Sequence, residues 1–336
     1  MSNEPIPASG AVSEPRTTTD ARVIAESDTA MAATTASTKG VVIFVILAVA
    51  LAWILALPLW LGQGINSPLF LPVATATMLT PATAALIVVR FVEHRRILDA
   101  LGLRPRGSAK RTVTWLAIAF ATVLGLCFLS LVSSAVVGTY QFDVVGMSGF
   151  EQTFRAQLEH LGKSLDEVGL PLRVLWLLQF FNIATAAAVN TVVAAGEEIG
   201  WRGYLFPALS NRLGILGAVV TVGVIWGLWH APLILLGYNY PSNPRLGVAA
   251  MCVLCTGIGA VLAWVSQKGG SVWPAALGHG TLNAAMSSFI AMFGDADFEP
   301  DALAGTIMGW GGWLVLLPVA GLVCWSMMRP GRKSGA

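Results

Sequence analysis

Eight apolar runs of about 20 residues dominate this chain and limit what it can fold into. The hydrocarbon core of a bilayer is about 30 Å thick, and about 20 apolar residues of α-helix cross it. The runs lie at about Val41–Leu61, Leu69–Val92, Val113–Val137, within Val174–Phe206, and at about Leu216–Leu236, Leu246–Ser266, Val272–Phe293 and Ile307–Met328. They predict an all-α, polytopic membrane protein with eight transmembrane helices. Pro72 and Pro81 predict a kink in the second. The fourth stretch exceeds one perpendicular span, which predicts a tilt or a start along the interface. Composition agrees: 11% of the 336 residues are charged, against about 25% in a soluble domain.

Lys and Arg set the expected orientation. Arg90, Arg95, Arg96, Arg104, Arg106, Lys110 and Arg111 follow the second run, whereas Asp295, Asp297, Glu299 and Asp301 separate the seventh from the eighth without a base. The tail ends with Arg329, Arg332 and Lys333. This alternation places both termini in the cytoplasm of a multi-pass cell-membrane protein. Residues 1–38 lack apolar periodicity and read as a disordered cytoplasmic tail; 39–336 form the membrane domain. An amphipathic piece is expected around Glu151–Leu161 in the long outer loop. The basic cluster flanks membrane segments, which argues against nucleic-acid binding.

Ionisable residues inside the membrane are costly and therefore functional candidates. The stretch GEEIGWRG, Gly196–Gly203, holds Glu197, Glu198 and Arg202. Glu198 and Arg202 are i and i+4 with the acid first, the favourable order for an ion pair. Glu197 is rotated roughly 100° away at ~3.6 residues per turn and keeps no local partner, which suits a general base. Two further sites follow. Trp226 and His230 share one helix face, as do His279 and Asn283. Trp226 reads most simply as packing, and Asn190 as a helix–helix hydrogen bonder. The glycines flanking these motifs allow close helix contact or leave room for an extended substrate. At ~1.5 Å per residue, Glu197, His279 and Asn283 fall at similar depths, roughly 10–16 Å in, while His230 falls deeper at roughly 21 Å. Cys252 and Cys255 form a CxxC within an apolar run and read as buried small residues.

Three motifs in order, Glu197-Glu198-xxx-Arg202, Trp226-xxx-His230 and His279-xxx-Asn283, resemble the CPBP family of intramembrane proteases. That family comprises CAAX prenyl endopeptidases and bacteriocin-processing or self-immunity proteins. The resemblance covers about residues 174–294, and it departs from the pattern at Trp226, where phenylalanine is usual. It implies a glutamate protease opening toward the cytoplasm. Glu197 and His230 would activate a water, His279 and Asn283 would form the oxyanion hole, and Glu198 and Arg202 would support the framework. The implied substrate is a membrane-associated, possibly prenylated, protein or peptide, and no cofactor is implied.

The residues themselves fit that chemistry. Peptide hydrolysis needs a base for water and preorganised donors for the oxyanion. No serine or cysteine sits in a comparable constellation. Two histidines and a glutamate also make a plausible zinc set, although no HExxH is present. Two non-protease readings stand beside these: a non-catalytic immunity or scaffold protein, and a transporter using Glu and His as a proton relay.

Overall fold

The computed structural model describes residues 36–329. The expected tail lies outside them apart from its last three residues, as do Arg332 and Lys333. The described chain is helical, without a strand; a single antiparallel bridge joins Phe142 and Gly294.

The first helix, α1 (Thr38–Trp60), shows how these sequences pack. It buries Gly40, Phe44, Ala48, Ala52 and Ala56, spaced by four, and exposes Val42, Ile46, Trp53, Ile54 and Leu57. Apart from Phe44 and Leu59, small residues face the bundle and large apolar ones face outward. This is the pattern of a helix surrounded by lipid. The second run breaks into α2 (Phe70–Thr77) and α3 (Thr80–Ile87), with Pro81 in the first turn of α3. The break is the kink that the prolines predict. It also positions Thr80, whose hydroxyl donates to Ala48 O (3.2 Å) and accepts from Trp229 Nε1 (3.0 Å).

Next come α4 (Ala109–Val136), capped by the Ser108 hydroxyl, and α5 (Ser148–His160). The second of these is the amphipathic piece, with Phe150 and Leu158 buried. The functional region follows as α6 (Leu172–Glu198), a π-helical segment Ile199–Leu205, and α7 (Phe206–Trp229). Then come α8 (Pro244–Gly269), α9 (Trp273–Phe293) and α10 (Trp310–Met328).

Six helical runs of the described residues are long and apolar enough to cross a membrane, against the eight expected. One of them, Leu172–Trp229, has 58 residues. Straight, it would extend roughly 87 Å at ~1.5 Å per residue, far more than one crossing needs. It turns at Gly214, whose φ of 69° is readily adopted only by glycine. α9, the seventh apolar run, falls outside the six.

The core of the bundle packs α9 along α6 and α4, and α7 along α8. The α6–α9 seam closes at Gly280, where an added Cβ would stand 2.7 Å from Ala187 O and Thr191 N. That approach lets His279 reach Glu198 at the end of α6.

Candidate active site

Glu197 and Glu198 end α6, and both are buried, as is Arg202 in the π-helical segment. The expected ion pair is present: Arg202 donates to Glu198 Oε1 at 2.9 Å. The same oxygen meets His279 Nδ1 at 2.9 Å. Sequence spacing within one helix could not reveal this second contact, since it joins α6 to α9.

A carboxylate oxygen accepts, so Nδ1 of His279 carries a proton, and Nε2 carries one only when the ring is an imidazolium. The expectation that His279 offers an N–H to an oxyanion therefore needs the doubly protonated ring. Charge balance favours that form. Glu197 and Glu198 contribute two negative charges; Arg202 and an imidazolium at His279 cancel them, as buried charges require.

His230 caps the C-terminal end of α7, where the helix gives way to the short turn Ala231–Ile234. Its Nδ1 lies 2.9 Å from Trp226 O, a carbonyl one turn back. The neutral ring therefore has its proton on Nδ1 and a free lone pair on Nε2. The greater depth expected for His230 does not keep it apart. His230, His279 and Asn283 line one cavity of about 70 Å3, together with Trp226, Asn239 and Met251. A water needs ~10–15 Å3 of such space, so several fit. Asn283 is exposed and His230 half-buried, while His279 is buried.

Glu197 does not line this cavity directly. It reaches it through Trp226, whose Nε1–H donates to Glu197 Oε2 at 2.6 Å. The Arg202 guanidinium carbon lies 4.3 Å from the centre of the Trp226 ring, and the His279 ring packs against it edge-on at 5.3 Å. Packing alone is thus too small a role for Trp226. The sequence did carry a signal: a buried indole N–H in an apolar helix needs an acceptor, and Glu197 was the carboxylate without one. Asn239, in a left-handed backbone conformation (φ 65°), also joins the cavity, with no motif to announce it. The Asn190 side chain makes no hydrogen bond among the described residues; its backbone packs beside Gly280 instead.

The flanking glycines do admit close neighbours, with Gly196 against Met78 and Leu79 and Gly203 against Leu101. Cys127, Cys255 and Cys324 are buried free thiols, and Cys252 is half-buried. Among the described residues, no three His, Cys, Asp or Glu side chains stand close enough to share a metal ion.

Residues 178–285 match the family model described as type II CAAX prenyl endopeptidase Rce1-like. The match contains all three motifs. Over these residues the chain is similar to the CPBP family of proteases. A curated relative, CAAX prenyl protease 2 of Methanococcus maripaludis, is 43% identical over 49 residues. That alignment covers 15% of this chain and 18% of the relative. The similarity is thus confined to less than a fifth of that protein.

Proposed function

We propose that this CPBP-like protein is an intramembrane endopeptidase that hydrolyses a peptide bond of a membrane-associated substrate with a side-chain-activated water. One observation carries the reading: His230, His279 and Asn283, from two helices, border one small cavity, and its Trp226 wall holds the Glu197 carboxylate. The family match and the name of the curated relative point the same way.

In the proposed reaction Glu197 and the Nε2 lone pair of His230 take a proton from water as its oxygen attacks the carbonyl carbon. The Asn283 amide and the Nε2–H of imidazolium His279 donate to the developing oxyanion. Collapse of the tetrahedral intermediate breaks the C–N bond, and the abstracted proton passes to the leaving amine. Glu198 fixes the His279 ring and is itself held by Arg202. Three buried polar atoms in this segment, Glu198 Oε2, Trp201 Nε1 and an Arg202 amine, have no protein partner. Such atoms cluster where a site has work beyond packing.

The chemistry uses water and side chains alone, so activity should survive chelation. The proposed orientation places the basic segment Arg90–Arg111 and both termini in the cytoplasm of a cell-membrane protein. A quenched library of prenylated and unmodified peptides, incubated with detergent-purified protein, tests the activity. Cleavage by wild type and its loss in Glu197→Ala and His230→Ala is the expected result. Equal signals from all three proteins would overturn the reading.

A further inference from the structure

Trp226 touches more of the site than any residue given a chemical role above. Its indole N–H meets Glu197 Oε2 at 2.6 Å. Its ring is covered by the Arg202 guanidinium at 4.3 Å and flanked by the rings of His279 and His230 at 5.3 and 5.9 Å. The side chain is 2% exposed, so the hydrogen bond has no competing solvent.

Consider what Glu197 would do without that bond. Its carboxylate is attached by rotatable torsions, and Arg202 is already bound to Glu198. The Trp226 bond, to Oε2, is the short hydrogen bond of the Glu197 side chain, and the Trp201 indole N–H lies beside the same carboxylate without closing to normal hydrogen-bond geometry. Oε1 is then the oxygen left for water. Trp226 in turn cannot swing away, because α7 carries it and Arg202 closes its ring face.

We infer that Trp226 is a positioning residue: its indole N–H fixes the Glu197 carboxylate so that Oε1 is presented to the water attacked through. This rests on the endopeptidase reading. It adds a role for a donor that a ring of phenylalanine type could not supply. A charge-assisted hydrogen bond of this kind is worth on the order of tenfold to hundredfold in an equilibrium or rate. The geometry assigns that factor to kcat, since the bond orients a reacting group.

Two substitutions separate the hydrogen bond from the packing. Trp226→Phe removes the donor and part of the ring. Replacing Trp226 with β-(3-benzothienyl)alanine keeps the bicyclic shape and exchanges N–H for sulfur. Both should lower kcat at least tenfold with KM within twofold, and the isostere should keep the wild-type unfolding temperature. Independently of activity, indole-15N-labelled protein should lose one N–H cross-peak in Trp226→Phe, and Glu197→Gln should move that same cross-peak. An isostere with wild-type kcat, or a cross-peak indifferent to Glu197→Gln, overturns the inference. If wild type cleaves nothing while the cross-peak still responds, the bond stands and the endopeptidase reading fails, taking the catalytic role with it.

Discussion

Glu198 and His279 are 81 positions apart in the chain and meet at 2.9 Å, on the carboxylate oxygen that also binds Arg202. One oxygen thus joins α6, the π-helical segment and α9. In the proposed reaction the two adjacent glutamates therefore have different jobs: Glu198 holds the bundle around the site, whereas Glu197 takes the proton from water.

That division predicts opposite phenotypes for the same substitution at neighbouring positions. Glu198→Gln leaves the buried guanidinium of Arg202 without a counter-charge. Breaking a buried pair in this way costs about 3–5 kcal/mol, so thermal or SDS-driven unfolding should shift markedly. Glu197→Gln breaks no hydrogen-bonded ion pair, and loss of one proton from imidazolium His279 restores the charge balance, so it should cost less stability than Glu198→Gln, yet lose activity on the order of a hundredfold or more. Equal stability losses in the two variants would contradict the division.

Two glycines should also behave differently toward alanine. At Gly280 the new Cβ would press on Ala187 O and Thr191 N at 2.7 Å, both main-chain atoms that cannot step aside. Gly280→Ala should cost about 1–3 kcal/mol and reduce activity by moving His279. At Gly125, inside α4, nothing lies within 4 Å of the added carbon. Gly125→Ala should be neutral or stabilise by about 0.5–1 kcal/mol. Unfolding of both variants in the same detergent checks the contrast.

Outside the bundle, Asp143 links the end of α4 to α5. Its carboxylate accepts from Ser148 N at 3.0 Å and from Gly146 N at 2.7 Å. The hydrogen bonds from Ser148, joined by that from Gly146, hold its pKa below the usual carboxylate value of 3.8. A depressed folded pKa means the contribution is complete above the unfolded value and vanishes as pH falls through the folded one. Amide protection at Gly146 and Ser148 should therefore be steady down to about pH 4 and drop below it. In Asp143→Asn the protection should be weaker at neutral pH and should not show that acid step. An acid step of the same size in the variant would rule out Asp143 as its source.

The proposed orientation makes a prediction of its own. Single cysteines introduced as Arg104→Cys and Asp297→Cys should label from opposite faces in sealed cells or vesicles. An impermeant maleimide added outside should reach position 297 and spare position 104. Labelling of both, or of 104 alone, would reject the N-in, C-in arrangement.

Much of the site was readable because its parts are local. The Glu198–Arg202 pair, the shared face of Trp226 and His230, and that of His279 and Asn283 each follow from helical periodicity. The kink before Pro81 and the amphipathic helix around Phe150 were equally local. What periodicity could not supply was contact between helices. The His279–Glu198 bond and the Trp226–Glu197 bond depend on how α6, α7 and α9 pack, and that depends on backbone approach at Gly280. The fifth apolar run was expected to continue to Leu236 as one helix. It ends at Trp229, and this places His230 at a helix terminus beside its partners.

The π-helical segment Ile199–Leu205 has a consequence for how the chain can change. Each i→i+5 turn accommodates a surplus residue without opening the helix. Deleting one residue there would let the segment wind as ordinary α-helix and leave α7 close to its present rotation, because the π turn already absorbs the surplus. One residue inserted into the α-helical part of α7 before Trp226 meets no such turn and would swing the indole and imidazole by roughly 100°. The same single-codon change is thus tolerated in one stretch and abolishes the proposed activity in the next, without touching any motif residue.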